Sequence, residues 1–82
     1  MTEDQRYLLE NVGATLKLLR EQAGLTQRQA AKKADSTQAR ISDLENGKAP
    51  MLVTTLQHWA KIYGYEMELH FVPIEEEEDA GE

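Results

Sequence analysis

Eighty-two residues make room for one small domain, and a hydrophobic content of 40% can fold it but leaves it marginal alone, so a second subunit would help. There is no Cys, which excludes disulfides and thiolate metal sites. Neither an apolar run of about 18 residues nor a basic-then-apolar start is found, so a soluble cytoplasmic chain is expected without a membrane span or secretory signal. The net charge of −6 is local: Glu75, Glu76, Glu77, Glu78, Asp79 and Glu82 crowd the last eight residues, while residues 1–74 balance 9 basic against 9 acidic groups. Residues 25–48 set Arg28, Lys32, Lys33, Arg40 and Lys48 against Asp35, Asp43 and Glu45, a net +2, so the overall acidity does not exclude a polyanionic partner.

A first helix is expected from a cap at Thr2 to a stop at Gly24. Leu9, Val12, Leu16, Leu19 and Ala23 recur at spacings of three and four, and Glu3 and Asp4 meet the positive end of the helix dipole. Gly13, worth about 1 kcal/mol less than Ala inside a helix, is either a tolerated defect or a break after a short leading turn. Thr26 and Gln29 form a capping-box pattern that opens a second helix running to about Ala34, with Leu25 as staple and Ala30, Ala31 and Ala34 inward. Asp35-Ser36-Thr37 is a break, and Thr37 caps a third helix, Gln38 to Glu45, with Ile41 and Leu44 inward and Asn46-Gly47 at its end.

After a Lys48-Ala49-Pro50 linker, Val53, Leu56, Trp59, Ala60 and Tyr63 stripe a fourth helix that Gly64 closes. The period then changes to two: Tyr65, Met67, Leu69 and Phe71 alternate with Glu66, Glu68, His70 and Val72, a strand that Pro73 ends. Residues 75–82 are expected to be disordered. The resulting division is residues 1–64 as a helical domain, 65–73 as a strand and 74–82 as an acidic tail. One strand in an otherwise helical chain has no partner, so residues 65–72 are expected to pair antiparallel with a second copy across a two-fold axis, with Tyr65, Met67, Leu69 and Phe71 covering both domains.

Gly24-Leu25-Thr26-Gln27, Ala30-Ala31, Ile41-Ser42-Asp43-Leu44-Glu45-Asn46-Gly47-Lys48, Pro50, Thr55-Leu56, Trp59-Ala60 and Tyr63-Gly64 together resemble the phage Cro/repressor (XRE) helix-turn-helix family over roughly residues 13–64. The resemblance implies a mainly α, four- to five-helix, lambda-repressor-like DNA-binding domain. In its departures, Asp35 stands where the family usually has Gly, and an extra residue follows Pro50. It implies that the third helix enters the major groove, with Gln38, Ala39 and Ser42 reading bases and Arg40 beside them reaching a phosphate or a base. Phosphate contacts fall to Gln27, Arg28, Thr37, Asn46 and Lys48. Arg20 and Glu45 occupy positions that form a structural ion pair in relatives. The strand looks like that of HipB and HigA-type antitoxins, which also bind a toxin.

Blander readings hold elsewhere. Trp59 and the three tyrosines are expected in the core rather than as stacking platforms. His58 and His70 lack ligand spacing, so no metal or other cofactor is expected; His70 is exposed filler or, paired with its mate, a mild pH sensor. Glu66 and Glu68 read as a solvated face, and the acidic run as a solubilising tail or a competitor for the basic face. With no Gly-rich phosphate loop, no Cys nucleophile and no Ser–His–Asp pattern, no enzyme is expected. The leading expectation is a homodimeric repressor on a palindromic operator, with a toxin-sequestering antitoxin as the alternative. A domain that has lost DNA binding, with Asp43 on the DNA-facing side and little net charge, is the third.

Overall fold

The computed structural model describes residues 1–48 and 50–75. Four helices follow in order: α1 Glu3–Gln22, α2 Gln27–Lys33, α3 Gln38–Glu45 and α4 Val53–Ile62. The caps explain three of the starts. Thr2 and Gln5 form a reciprocal capping box on α1, Thr26 and Gln29 form another on α2, and the Thr37 hydroxyl accepts the Arg40 N–H on α3.

All four helices end alike. The residue after the cap turns left-handed, and the next N–H reaches back five residues: Leu25 to the Arg20 carbonyl, Ser36 to Ala31, Lys48 to Asp43 and Tyr65 to Ala60. Gly24, Gly47 and Gly64 supply the positive φ at three ends. At the fourth, between α2 and α3, Asp35 takes φ 54° with a side chain in place.

α1 runs unbroken through Gly13, and α3 supplies the reason. A Cβ on Gly13 would lie 2.5 Å from the Glu45 carbonyl oxygen and 2.6 Å from that of Leu44. A Cβ on Gly47 would meet the Glu10 backbone at 3.0 Å. The last turn of α3 therefore rests directly on the backbone of α1, and Gly13 is a packing requirement rather than a break.

Leu16, Ala30, Ala31, Ile41, Leu44, Trp59 and Tyr63 form the buried core, with Leu19, Leu25, Ala34, Met51, Leu56 and Ile62 packed around it. The alanines of α2 let that short helix approach closely, and Ile41 and Leu44 are the largest fully buried side chains. The buried stripes of α1 and α4 are shorter than the apolar pattern of the sequence. Ala23 is exposed because it caps α1 instead of continuing its face, and Val53 is exposed because α4 has not yet reached the core at its first residue. Of the aromatic residues, Trp59 and Tyr63 are core, whereas Tyr7 and Tyr65 are exposed.

No strand forms among the described residues, so the architecture is mainly α with four helices. Residues 65–75 leave α4 without helix or ladder, because a strand needs a neighbour and a single copy provides none. Of the acidic tail, residues 76–82 lie outside the described residues, as does Ala49 of the linker.

Two substitutions separate these backbone effects. Asp35→Gly is expected to raise unfolding stability by about 1 kcal/mol by relieving the left-handed strain. Gly13→Ala is expected to lower it by about 1–3 kcal/mol despite its better helix propensity, because the methyl meets carbonyl oxygens. Urea titration reads both, and a stabilised Gly13→Ala would contradict the α1–α3 contact.

Candidate nucleic-acid interface

The site begins behind the surface it presents. Arg20, in the last turn of α1, donates from Nε to Glu45 Oε2 at 2.6 Å and from Nη2 to Oε1 at 3.1 Å, a bidentate pair whose side chains are only 8% and 3% exposed. Its remaining Nη1 donates to the Leu25 carbonyl at 2.8 Å, tying down the α1–α2 corner. The hydrogen bond to Glu45 raises the Arg20 pKa, with burial opposing it, so the guanidinium stays charged throughout the working range. The two residues paired in the sequence thus meet as a buried ion pair between α1 and α3.

Glu45 holds one more group. Gln27, the first residue of α2, donates from Nε2 to Glu45 Oε1 at 3.0 Å. A carboxylate only accepts, so the Gln27 nitrogen faces inward and its oxygen outward. That oxygen accepts from Gln38 Nε2 at 3.4 Å. The first residues of α2 and α3 are therefore joined, and a chain of polar contacts runs from Arg20 through Glu45 and Gln27 to Gln38 at the surface. This linking position of Gln27 was not read from the sequence, because Gln27 and Glu45 are 18 residues apart and no local pattern connects them.

The free side of α3 carries Gln38, Ala39, Arg40, Asp43 and Asn46, all exposed, opposite buried Ile41, Leu44 and Glu45. Ser42 is only half exposed. Asn46 folds back onto it, donating from Nδ2 to the Ser42 carbonyl at 2.8 Å, with the Ser42 hydroxyl at 3.3 Å. The face centred on Gln38 and Ala39 therefore continues to Asp43 at its far end more openly than to Ser42. Arg40 turns to the flank, where it lines a polar cleft of about 370 Å³ with Asp35, Ser36, Thr54, Thr55 and His58. Arg28, Thr37 and Lys48 are exposed.

Tyr63 sits behind the ion pair in the core. Burial, reinforced by the Glu45 charge and opposed by Arg20, pushes its pKa up to about 12.

Among known proteins, the helix-turn-helix family profile matches residues 16–69, more than half of the chain. The HTH-type transcriptional regulators PuuR of Escherichia coli (strain K12) and of Shigella flexneri are each 37% identical to it over 59 residues. The matched stretch covers 72% of this chain but 32% of each relative, so the likeness is to about a third of those proteins.

Two expectations follow from the buried pair and its neighbour. Arg20→Met alone is expected to cost about 3 kcal/mol by stranding the Glu45 carboxylate, whereas Arg20→Met combined with Glu45→Leu recovers most of that loss; equal losses in denaturant titrations would contradict a buried charge pair. Tyr63 has a folded pKa above its unfolded value of about 10, so its contribution to stability is complete below about pH 10 and is lost as pH rises towards about 12. Tyr63→Phe is expected to flatten that alkaline limb in unfolding free energies measured against pH.

Proposed function

The chain belongs to the XRE-type helix-turn-helix family; from that premise we propose that it is a DNA-binding transcriptional regulator and not an enzyme, a homodimeric, sequence-specific repressor that grips a palindromic operator through α3. The observation carrying this reading is the open Gln38–Ala39 face of α3, held from behind by the Arg20–Glu45–Gln27 contacts. An α-helix fits the major groove with its first residues at the base edges. In that pose the Gln38 amide pairs with adenine, Ala39 packs on a thymine methyl, and Ser42 and Arg40 reach neighbouring groups. Gln27 uses its second amide proton on a phosphate, and Arg28, Thr37, Asn46 and Lys48 contact the backbone on either side.

Asp43 limits what this face accepts. An exposed carboxylate repels phosphate and the guanine acceptors, and tolerates the cytosine amine. One domain with so little positive charge binds weakly. Two, joined through residues 65–72 with their α3 helices about 34 Å apart, engage successive major grooves and multiply their affinities. On this reading the protein acts on DNA in the cytoplasm. The bare apolar residues beyond α4 also support a second reading, an antitoxin whose arm is covered by a toxin.

Selection of bound sequences from a random DNA pool tests the proposal. The expected outcome is a palindrome with half-sites about 10 base pairs apart; sequence-blind, salt-sensitive binding would overturn it. Gln38→Ala is expected to cost about 1–3 kcal/mol and relax one position of the site. Lys48→Ala weakens all sequences evenly and lowers the salt slope by about one. Asp43→Asn is expected to strengthen binding to every sequence. Co-purification of a small basic protein with the native chain would favour the antitoxin reading.

A further inference from the structure

An apolar groove of about 350 Å³ opens between α1 and α4, walled by Val12, Leu16, Leu19, Leu56, Tyr65 and Met67. The arm that follows α4 starts on this groove. The Tyr65 N–H donates to the Ala60 carbonyl at 2.8 Å, and its hydroxyl donates to Gln22 Oε1 at 2.8 Å, so the root of the arm is fixed to both helices. Met67 is still half-buried on it. Beyond that point the arm is bare: Leu69 is 57% exposed, Phe71 91%, Val72 83% and Ile74 84%. Among the described residues nothing covers the groove, and the end of the arm rests on nothing.

Residues 65–73 determine how two copies fit. Two antiparallel strands related by a two-fold axis put like faces on one side only if each pair of opposed residues is odd with odd or even with even. The Tyr65 N–H is already used by α4, and Pro73 has none, so the ladder closes at these two residues and its midpoint is Leu69. In this register Met67 opposes the partner's Phe71. On the other face Glu68 opposes the partner's His70, an acid beside a base, whereas centring the ladder on Met67 would set the partner's Glu68 against Glu66.

On the reading that the protein dimerises through this segment, we infer that the α1–α4 groove is the seat of the partner's Phe71, so that each domain's core is completed by the arm of the other copy. The partner's Phe71 lies over Met67, which walls the groove. Leu69 and Phe71 of the two arms, the bare side chains on the groove-facing side of the ladder, offer on the order of 500 Å². The groove walls, Tyr65 and Met67 of each arm and the paired backbones add to this, towards the roughly 1,200 Å² at the lower end of a stable interface.

The test uses the full chain in two isotope labellings, mixed so that only contacts between copies are seen by NMR. Contacts from the Phe71 ring to the methyls of Leu19, Leu56 and Met67 across copies are expected. Phe71→Ala is expected to weaken dimerisation roughly 100- to 10,000-fold by sedimentation, since two buried rings are lost per dimer. Because the chain has no Cys, Leu69→Cys is expected to form a disulfide-linked dimer on mild oxidation, and Met67→Cys alone is not. A dimer whose Phe71 ring touches none of these methyls overturns the groove assignment and leaves the dimer standing. Phe71 contacts to these methyls seen in a uniformly labelled sample but absent from the mixed one place the ring in its own groove and overturn the exchange between copies, and a monomer overturns both.

Discussion

One carboxylate organises this domain. Glu45 lies in the last turn of α3, yet it takes two hydrogen bonds from Arg20 on α1 and one from Gln27 at the start of α2. Three helices therefore share a single buried charge, and Arg20 extends the hold to the Leu25 carbonyl at the α1–α2 corner. Replacing a buried ion pair by apolar groups of similar size is often neutral for stability, so the value of this arrangement lies in what it orients. It fixes which way the Gln27 amide faces, and through Gln27 it reaches Gln38 at the exposed start of α3. The backbone works to the same end. Gly13 and Gly47 let the last turn of α3 sit on α1 with no side chain between them, which brings Glu45 within reach of Arg20.

Much of the fold was legible because its signals are local. Thr2, Thr26 and Thr37 with their following residues announce three helix starts, and Gly24, Gly47 and Gly64 announce three ends. Trp59 and Tyr63 fall on an apolar stripe and are core. Elsewhere a neighbour outside the local pattern decides the outcome. Gly13 has no local reason to sit in a helix; two carbonyls of α3, more than 30 residues away, supply it. Ser42 looked as open as Gln38 by helical spacing, but Asn46 folds over it. The alternation over residues 65–72 reads as a strand, but no strand forms there among the described residues, because hydrogen-bonded pairing needs a neighbour that one copy does not have.

On the proposed reading the apolar arm and the exposed face of α3 belong to one design. A neutral body with a +2 middle segment would hold DNA weakly by charge alone, so affinity would come from precise placement and from two sites acting together. The internal network orders the α3 face within the domain, the proposed pairing of arms would bring a second domain, and Asp43 at the edge of the face would then favour selectivity over sequence-blind binding.

The most direct test of the central claim is a double-mutant cycle on operator affinity across Glu45→Gln and Gln38→Ala, with circular dichroism showing every variant folded at the temperature used. If the buried carboxylate orients the surface glutamine through Gln27, the two losses are non-additive, with a coupling energy of about 1 kcal/mol. Losses that add to within about 0.3–0.5 kcal/mol would show that Glu45 only holds the helices together and that Gln38 finds its base unaided.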